Sequence, residues 1–273
     1  MRTRIFFLLI VVISGWTVFK KEPTQENPPG TVKINDTLFV DQTEVANVHW
    51  REYLYYLNRF DSGNVYKALP DTLVWRDANP FNEPLVKYYF RHPMFNSYPA
   101  VGISYEQAVE FCKWRTYVAN QGVYFRQNKI KDLKNHIRDS FPIKFYYRLA
   151  SNKEWEMIAA GQLSATEFPY GHKDVYAKWR GKKWKAFNCI YPEDSTNKTA
   201  PDGPYTVDVK AFLPNAYGTY NMIGNLSEML SEKGTAKGGS FVHPLDSCKI
   251  VLNQHYEKPE VWLGFRCVAV KLR

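Results

Sequence analysis

Cysteine is scarce in this 273-residue chain, with only Cys112, Cys189, Cys248 and Cys267. No two of them have the C-x-x-C spacing of a structural zinc site, and none precedes Cys112, so a lipid-modified N-terminal cysteine is not expected. Histidine is equally thin. His92, His136, His172 and His255 are scattered, and no H-E-x-x-H, G-x-S-x-G or glycine-rich phosphate loop accompanies them, which removes the common metalloprotease, hydrolase and nucleotide-binding readings. No internal repeat is visible, which disfavours solenoids and propellers. Acidic charge falls short as well: 27 Asp plus Glu against 36 Lys plus Arg leave a net +9. That balance favours anionic partners, whether nucleic acid, phospholipid head groups or an acidic protein face.

Aromatics are abundant, with 19 Tyr and 17 Phe in a chain that is 45% apolar, the composition of a folded protein. The first residues have the layout of an export signal: Arg2 and Arg4, the apolar run Ile5 to Phe19, then Lys20 and Lys21. The run is shorter than the roughly 20 residues of a comfortable membrane span, and Val12-Ile13-Ser14 is the best cleavage candidate. Both a cleaved signal and a retained anchor over residues 1–21 stay open. Residues 22–30 are polar and proline-rich and read as a linker, so the folded domain is expected over 31–273. Export makes the periplasm or a membrane-associated envelope the expected location. It makes nucleic acid an improbable partner and disulfides permissible.

Thr31 to Val40 alternates like a strand, and Asn47 is a plausible cap for a helix bearing Trp50, Tyr53, Leu54 and Leu57. Ser104-Tyr105-Glu106-Gln107 is a capping box whose helix carries Ala108, Val109 and Cys112 on one face. Ser151-Asn152-Lys153-Glu154 is another, with Trp155, Ile158 and Ala159 inward and Gly161 as the stop. The basic stretch 121–140, with Lys129, Lys131, Lys134 and Arg138, reads as a solvated surface segment. Beyond Pro169 the periodicity fades into loops. The densest basic and aromatic cluster is Lys178 to Lys185, and its members Trp179, Arg180, Lys182, Lys183 and Trp184 are surface-binding candidates for an anionic lipid, glycan or acidic protein face.

Five ordered segments carry a family resemblance. They are Pro99 to Tyr105 with Ala108, Phe111 and Cys112; Tyr147-Arg148-Leu149-Ala150-Ser151 through Trp155-Glu156; Asn215 to Glu228; Lys237-Gly238-Gly239-Ser240-Phe241; and Gly264-Phe265-Arg266-Cys267. Together they resemble the formylglycine-generating enzyme and sulfatase-modifying-factor family. The N-terminal segments Asp41 to Val45, Leu69 to Thr72 and Tyr89 to Pro93, with Trp114-Arg115, look closest to its gliding-motility and type IX secretion lipoproteins. The resemblance implies an α+β fold: a single, loop-rich, elaborated C-type-lectin-like domain.

It also implies a function. The family's enzymes oxidise a substrate cysteine to formylglycine with a copper-binding cysteine pair, and those positions here are His243 and Cys248. Two thiolates hold monovalent copper in its soft, low-coordinate geometry, and an imidazole replaces one of them, so copper is not expected. Ser240, His243 and Cys248 thus form a degenerate site. Ser227 stands where the family usually has Trp. The resemblance implies calcium at Asn221, the carbonyls of Gly224 and Leu226, and Glu228, and a second site at Asn188, Cys189 and Asp202. It implies a bridge between Cys112 and Cys267, leaving Cys189 and Cys248 either as a second bridge or as two buried thiols.

The expected function is a non-catalytic envelope protein, a binding or structural part of a secretion or gliding-type complex, whose partners are other exported or outer-membrane proteins. Two alternatives stand beside it. One is a metal-dependent oxidase or oxygenase using His243 and Cys248. The other is a lectin-like module that binds glycan at Trp179 and Trp184.

Overall fold

The computed structural model describes residues 27–131, 140–179, 181–192 and 206–272. Residues 1–21, together with Lys134, Arg138 and Asp202, lie outside them. Among the described residues no helix is long and apolar enough to cross a membrane.

The chain opens with two short strands, β1 (Thr31–Lys33) and β2 (Leu38–Asp41), where the sequence pattern predicted one. The break is an Asx turn: the Asn35 Oδ1 accepts from the backbone N–H groups of Thr37 and Leu38, folding β1 back onto β2. Helix α1 (Asn47–Phe60) follows, and its cap is Ala46 rather than Asn47. Asn47 is fully buried, and its side-chain amide donates instead to the carbonyls of Tyr89 and Phe95. Distant carbonyls that need a donor in the interior outcompete the local cap. Trp50, Tyr53 and Leu57 enter the core, as the helical spacing predicts.

Short helices α2 (Val74–Ala78) and α3 (Glu83–Tyr88) lead to the long α4 (Tyr105–Gln127), which starts on the Ser104/Gln107 capping box. Strand β3 (Phe145–Arg148) is fastened to α4 by Asn120. Its Oδ1 accepts from the N–H groups of Lys144 and Phe145, and its Nδ2 donates to the Phe145 carbonyl. Helix α5 (Asn152–Ala160) begins on the Ser151/Glu154 box and stops at left-handed Gly161, as expected. Arg148 grips Glu154 with two hydrogen bonds of 2.7 Å, holding its carboxyl down at about 2.

The rest is loops and short strands: the hairpin β4 (Tyr176–Trp179) and β5 (Lys182–Lys185), then β6 (Ser227–Met229), β7 (Thr235–Lys237), β8 (Asn253–His255), β9 (Leu263–Gly264) and β10 (Val268–Lys271). Strand β10 inserts between β2 and β3, giving an antiparallel sheet in the order β1-β2-β10-β3 that joins the two ends of the described chain. A second sheet, β8-β7-β6-β9, pairs β6 parallel to β9. The fold is mixed α+β. One core, around Trp50, Phe111 and Phe265, lies under α1 and α4; another, around Trp155, Tyr191 and Ile250, lies under α5. The functional motifs run through the loops between these cores and the second sheet.

Candidate functional site

The segment Asn221 to Glu228 is a tight turn that feeds β6. Asn221, Gly224 and Asn225 all have left-handed backbone. At Gly224 only glycine fits, because a Cβ there would fall 2.6 Å from the Asn188 carbonyl oxygen. The turn delivers Glu228 into the interior, where Arg266 donates to both carboxylate oxygens from Nε at 2.8 Å and to one of them from Nη2 at 2.5 Å, and Trp155 Nε1 donates at 2.8 Å. Arg266 also reaches the carbonyls of Asp41, Gln42 and Tyr220. A second carboxyl, Glu44, sits beside this pair and is also buried. Burial, reinforced by the Glu228 charge and only partly offset by Arg266, pushes Glu44 up to about 8. It accepts from the Asn225 side-chain amide at 2.9 Å and from that of Asn221 at 3.4 Å.

Asn221 Oδ1 is buried with no hydrogen-bond partner. An orphaned amide oxygen beside a carboxylate is the donor chemistry a hard cation takes. Calcium held by Asn221 Oδ1, the carbonyls of Gly224 and Leu226, and Glu228, as the resemblance implies, would require Glu228 to serve the ion and Arg266 together. Of the second calcium set, Asp202 lies outside the described residues, and Asn188 Nδ2 donates to Asn225 Oδ1 at 3.2 Å.

Ser240 and His243 come together, with Oγ and Nδ1 2.8 Å apart. The His243 ring stands edge-on to Trp262 at 5.2 Å, and burial pushes its pKa below the ordinary imidazole value, so the ring is neutral near pH 7. Ser240 is fully buried, and its Oγ also accepts from the Val242 N–H, so the pair is a latch on the loop rather than a presented nucleophile. Cys248 is completely buried in the short 3-10 turn Leu245–Cys248, with its Sγ 3.4 Å from the Pro244 carbonyl. The glycine pair ahead of Ser240 makes room for that sulfur: a Cβ on left-handed Gly239 would fall 2.2 Å from it. Backbone bonds between Ile190 and both His243 and Leu245 bring the strand carrying Cys189 alongside this loop, and both cysteines belong to the α5 core. Ser227 is buried, and its Oγ finds no partner.

Cys112 and Cys267 meet between α4 and the start of β10, their sulfurs 3.5 Å apart. Of the surface candidates, Lys182, Lys183 and Trp184 are exposed on β5, while Arg180 and the Trp179 side chain lie outside the described part. Sequence reading missed Glu44 and Arg266 as the partners of the calcium motif. It also missed Lys237, which is fully buried, with Nζ 2.8 Å from both Glu156 and the Ile250 carbonyl. The available signal was a lone acid or base inside an otherwise apolar motif, which in a core demands a counter-charge.

A model of the sulfatase-modifying factor enzyme 1-like domain matches residues 8–271. The formylglycine-generating enzyme of Mus musculus is 25% identical over 233 residues, covering 76% of this chain and 52% of that protein. That of Thermomonospora curvata is 34% identical over 153 residues, covering 45% of this chain and 49% of the other. The chain thus spans about half the length of these curated relatives. Among solved structures, CarF is 15% identical with a TM-score of 0.47, covering 86% of this chain and 87% of that one.

Proposed function

Because the chain belongs to the sulfatase-modifying factor enzyme 1-like domain family, and its site lacks half of the cysteine pair that the family resemblance implies for oxidation, we propose that it binds rather than oxidises. In this reading it is a non-catalytic component of a cell-envelope assembly of the secretion or gliding type. It is exported, and it docks onto other exported or outer-membrane proteins through an elaborated lectin-like surface. The observation that carries the proposal is His243: a neutral imidazole, latched to buried Ser240, occupies the place of a thiolate, while Cys248 is sealed from solvent. Monovalent copper held between two thiolates has no counterpart in that donor set. The purified chain, supplied with copper, oxygen and a cysteine-containing sulfatase peptide, is expected to leave the peptide mass unchanged. Conversion of the peptide thiol to an aldehyde would overturn the proposal.

Calcium belongs to the same reading, as a structural ion at Asn221, Gly224, Leu226 and Glu228. An ion that binds only the folded state at 100 times its Kd stabilises by about 2.7 kcal/mol, or about 5 to 10 °C in Tm for a domain of this size. Calcium added to chelator-stripped protein is expected to produce that rise. Asn221→Gly, which keeps the left-handed backbone and deletes the side-chain oxygen, is expected to abolish it. An equal rise in both proteins would place the ion elsewhere.

A further inference from the structure

Helix α4 keeps a glycine in its interior that the fold does not need. A Cβ at Gly122 would meet nothing nearer than Arg126 Nη1, at 3.7 Å, and the position is not among those with left-handed backbone. Glycine weakens a helix interior relative to alanine, so folding alone favours a side chain there. Where local propensity and fold disagree in this way, the cause is sought in function.

Gly122 lines two hollows. One is a cleft of about 700 Å³ between α4, the loop 41–46 and the segment 208–210; the other, of about 650 Å³, lies at the C-terminal end of α4. They share Val118, Gly122 and Arg126, a row spaced four apart on one face of the helix, so they run together as one trough. From Arg115 to Arg126 the helix rises about 16 Å, the length of about five extended residues. Two buried polar atoms on residues of the first cleft, Asp41 Oδ1 and Trp114 Nε1, have no hydrogen-bond partner. Asp41 is 4% exposed, and its other oxygen accepts from Arg115 Nη1 and the Cys267 N–H. One orphan is an acceptor and the other a donor, and each weakens the fold until something completes it. In the first cleft Arg115 is paired with Asp41, whereas the second hollow carries Arg126, Lys129 and Lys131 and no acid.

From this juxtaposition we infer that the trough along α4 binds an extended peptide segment of a partner protein, with acidic residues towards its end at Lys129 and Lys131. Its backbone would donate an N–H to Asp41 Oδ1, offer a carbonyl to Trp114 Nε1, and pass close over the helix where Gly122 has no side chain. A peptide carries a donor and an acceptor in every residue, which answers two orphans of opposite sense in one cleft. A compact ligand would fill one hollow and leave the other open. The trough uses no residue of the Ser240, His243 and Cys248 loop. The inference rests on the reading that the chain docks onto other proteins, and names what they would present.

Panning a phage-displayed random dodecapeptide library on the full chain, then measuring the recovered peptides by fluorescence anisotropy, tests it. Recovered peptides are expected to carry Asp or Glu towards one end. Gly122→Leu, which fills the trough and improves helix propensity, should weaken them at least tenfold while Tm holds or rises. Trp114→Phe, which keeps a ring and deletes the N–H, should weaken them at least threefold. Lys129→Gln/Lys131→Gln should weaken them at least fivefold at low salt; both lysines are exposed, so this variant decides the matter even if Gly122→Leu disturbs the fold. Binding indifferent to Gly122→Leu and to the lysine pair would overturn the trough as the site. Binding lost in Gly122→Leu but unchanged in Trp114→Phe would overturn the backbone assignment. A dimer of the chain that dissociates in Gly122→Leu would give the trough to a second copy and overturn the partner. No recovered peptide, with the sulfatase peptide still unoxidised, would overturn the trough alone; aldehyde formation would strike the non-oxidising reading and leave the panning result standing.

Discussion

Arg266→Met is expected to destabilise the fold by about 3 to 5 kcal/mol, the cost of breaking a buried pair by removing one partner. At about 2 to 4 °C per kcal/mol this corresponds to a fall of roughly 6 to 20 °C in Tm. The reason is where the guanidinium sits. It is 2% exposed, clamps a Glu228 carboxylate that is 1% exposed, and satisfies the carbonyls of Asp41, Gln42 and Tyr220. Without it, Glu228 keeps Trp155 Nε1 but loses its counter-charge, and Glu44 alongside loses the nearest cation opposing its rise. Methionine fills comparable volume, so the loss measures charge and hydrogen bonding more than a cavity. The double variant Arg266→Met/Glu228→Gln separates the two, because it removes the stranded charge along with its partner. It is expected to recover part of the lost stability, and denaturant unfolding of both variants measures how much. A single-variant cost below about 1 kcal/mol would show that the pair does not hold the motif turn in place.

The local signals in the sequence were good guides where the chain's own neighbours settle the structure. The capping boxes at Ser104 and Ser151, the stop at Gly161, and the inward faces of Trp50 and Trp155 each depend on residues within a turn or two. Asn47 misled because its partners are the carbonyls of Tyr89 and Phe95, more than 40 positions away. The break between β1 and β2 was readable from Asn35-Asp36 as an Asx turn and was hidden by the alternation on either side. In the candidate site, the family-like motifs located Ser240, His243, Cys248, Asn221 and Glu228, but spacing could not show that Glu228 is shared with Arg266 and Trp155.

The other large effect concerns Cys112 and Cys267, whose bridging remains a proposal. Both are buried, and their sulfurs are 3.5 Å apart, against the ~2.0 Å of a bonded pair. They lie 155 positions apart, so a bond would close a long loop and stabilise by about 5 kcal/mol on the chain-entropy estimate, before any strain is subtracted. Burial and the neighbouring Cys112 thiol push the Cys267 thiol well above its ordinary range, so Cys267 carries little thiolate in the folded chain. Both sulfurs are buried, so unfolding is what exposes them to reductant and alkylating agents. Protein folded in an oxidising compartment is expected to show no reactive thiol at these two positions when denatured without reductant, and to lose about 10 to 20 °C of Tm when refolded reduced. Cys112→Ala/Cys267→Ala is expected to melt near the reduced wild type under either condition. Its residual thiol count isolates the remaining pair: none would mean that Cys189 and Cys248 are joined, which would take the last sulfur of the degenerate site out of any redox chemistry. Coincident melting of wild type and double variant under oxidising conditions would show that the two sulfurs stay apart, and that the pairing of β10 with β2 and β3 holds the ends of the described chain together without the bond.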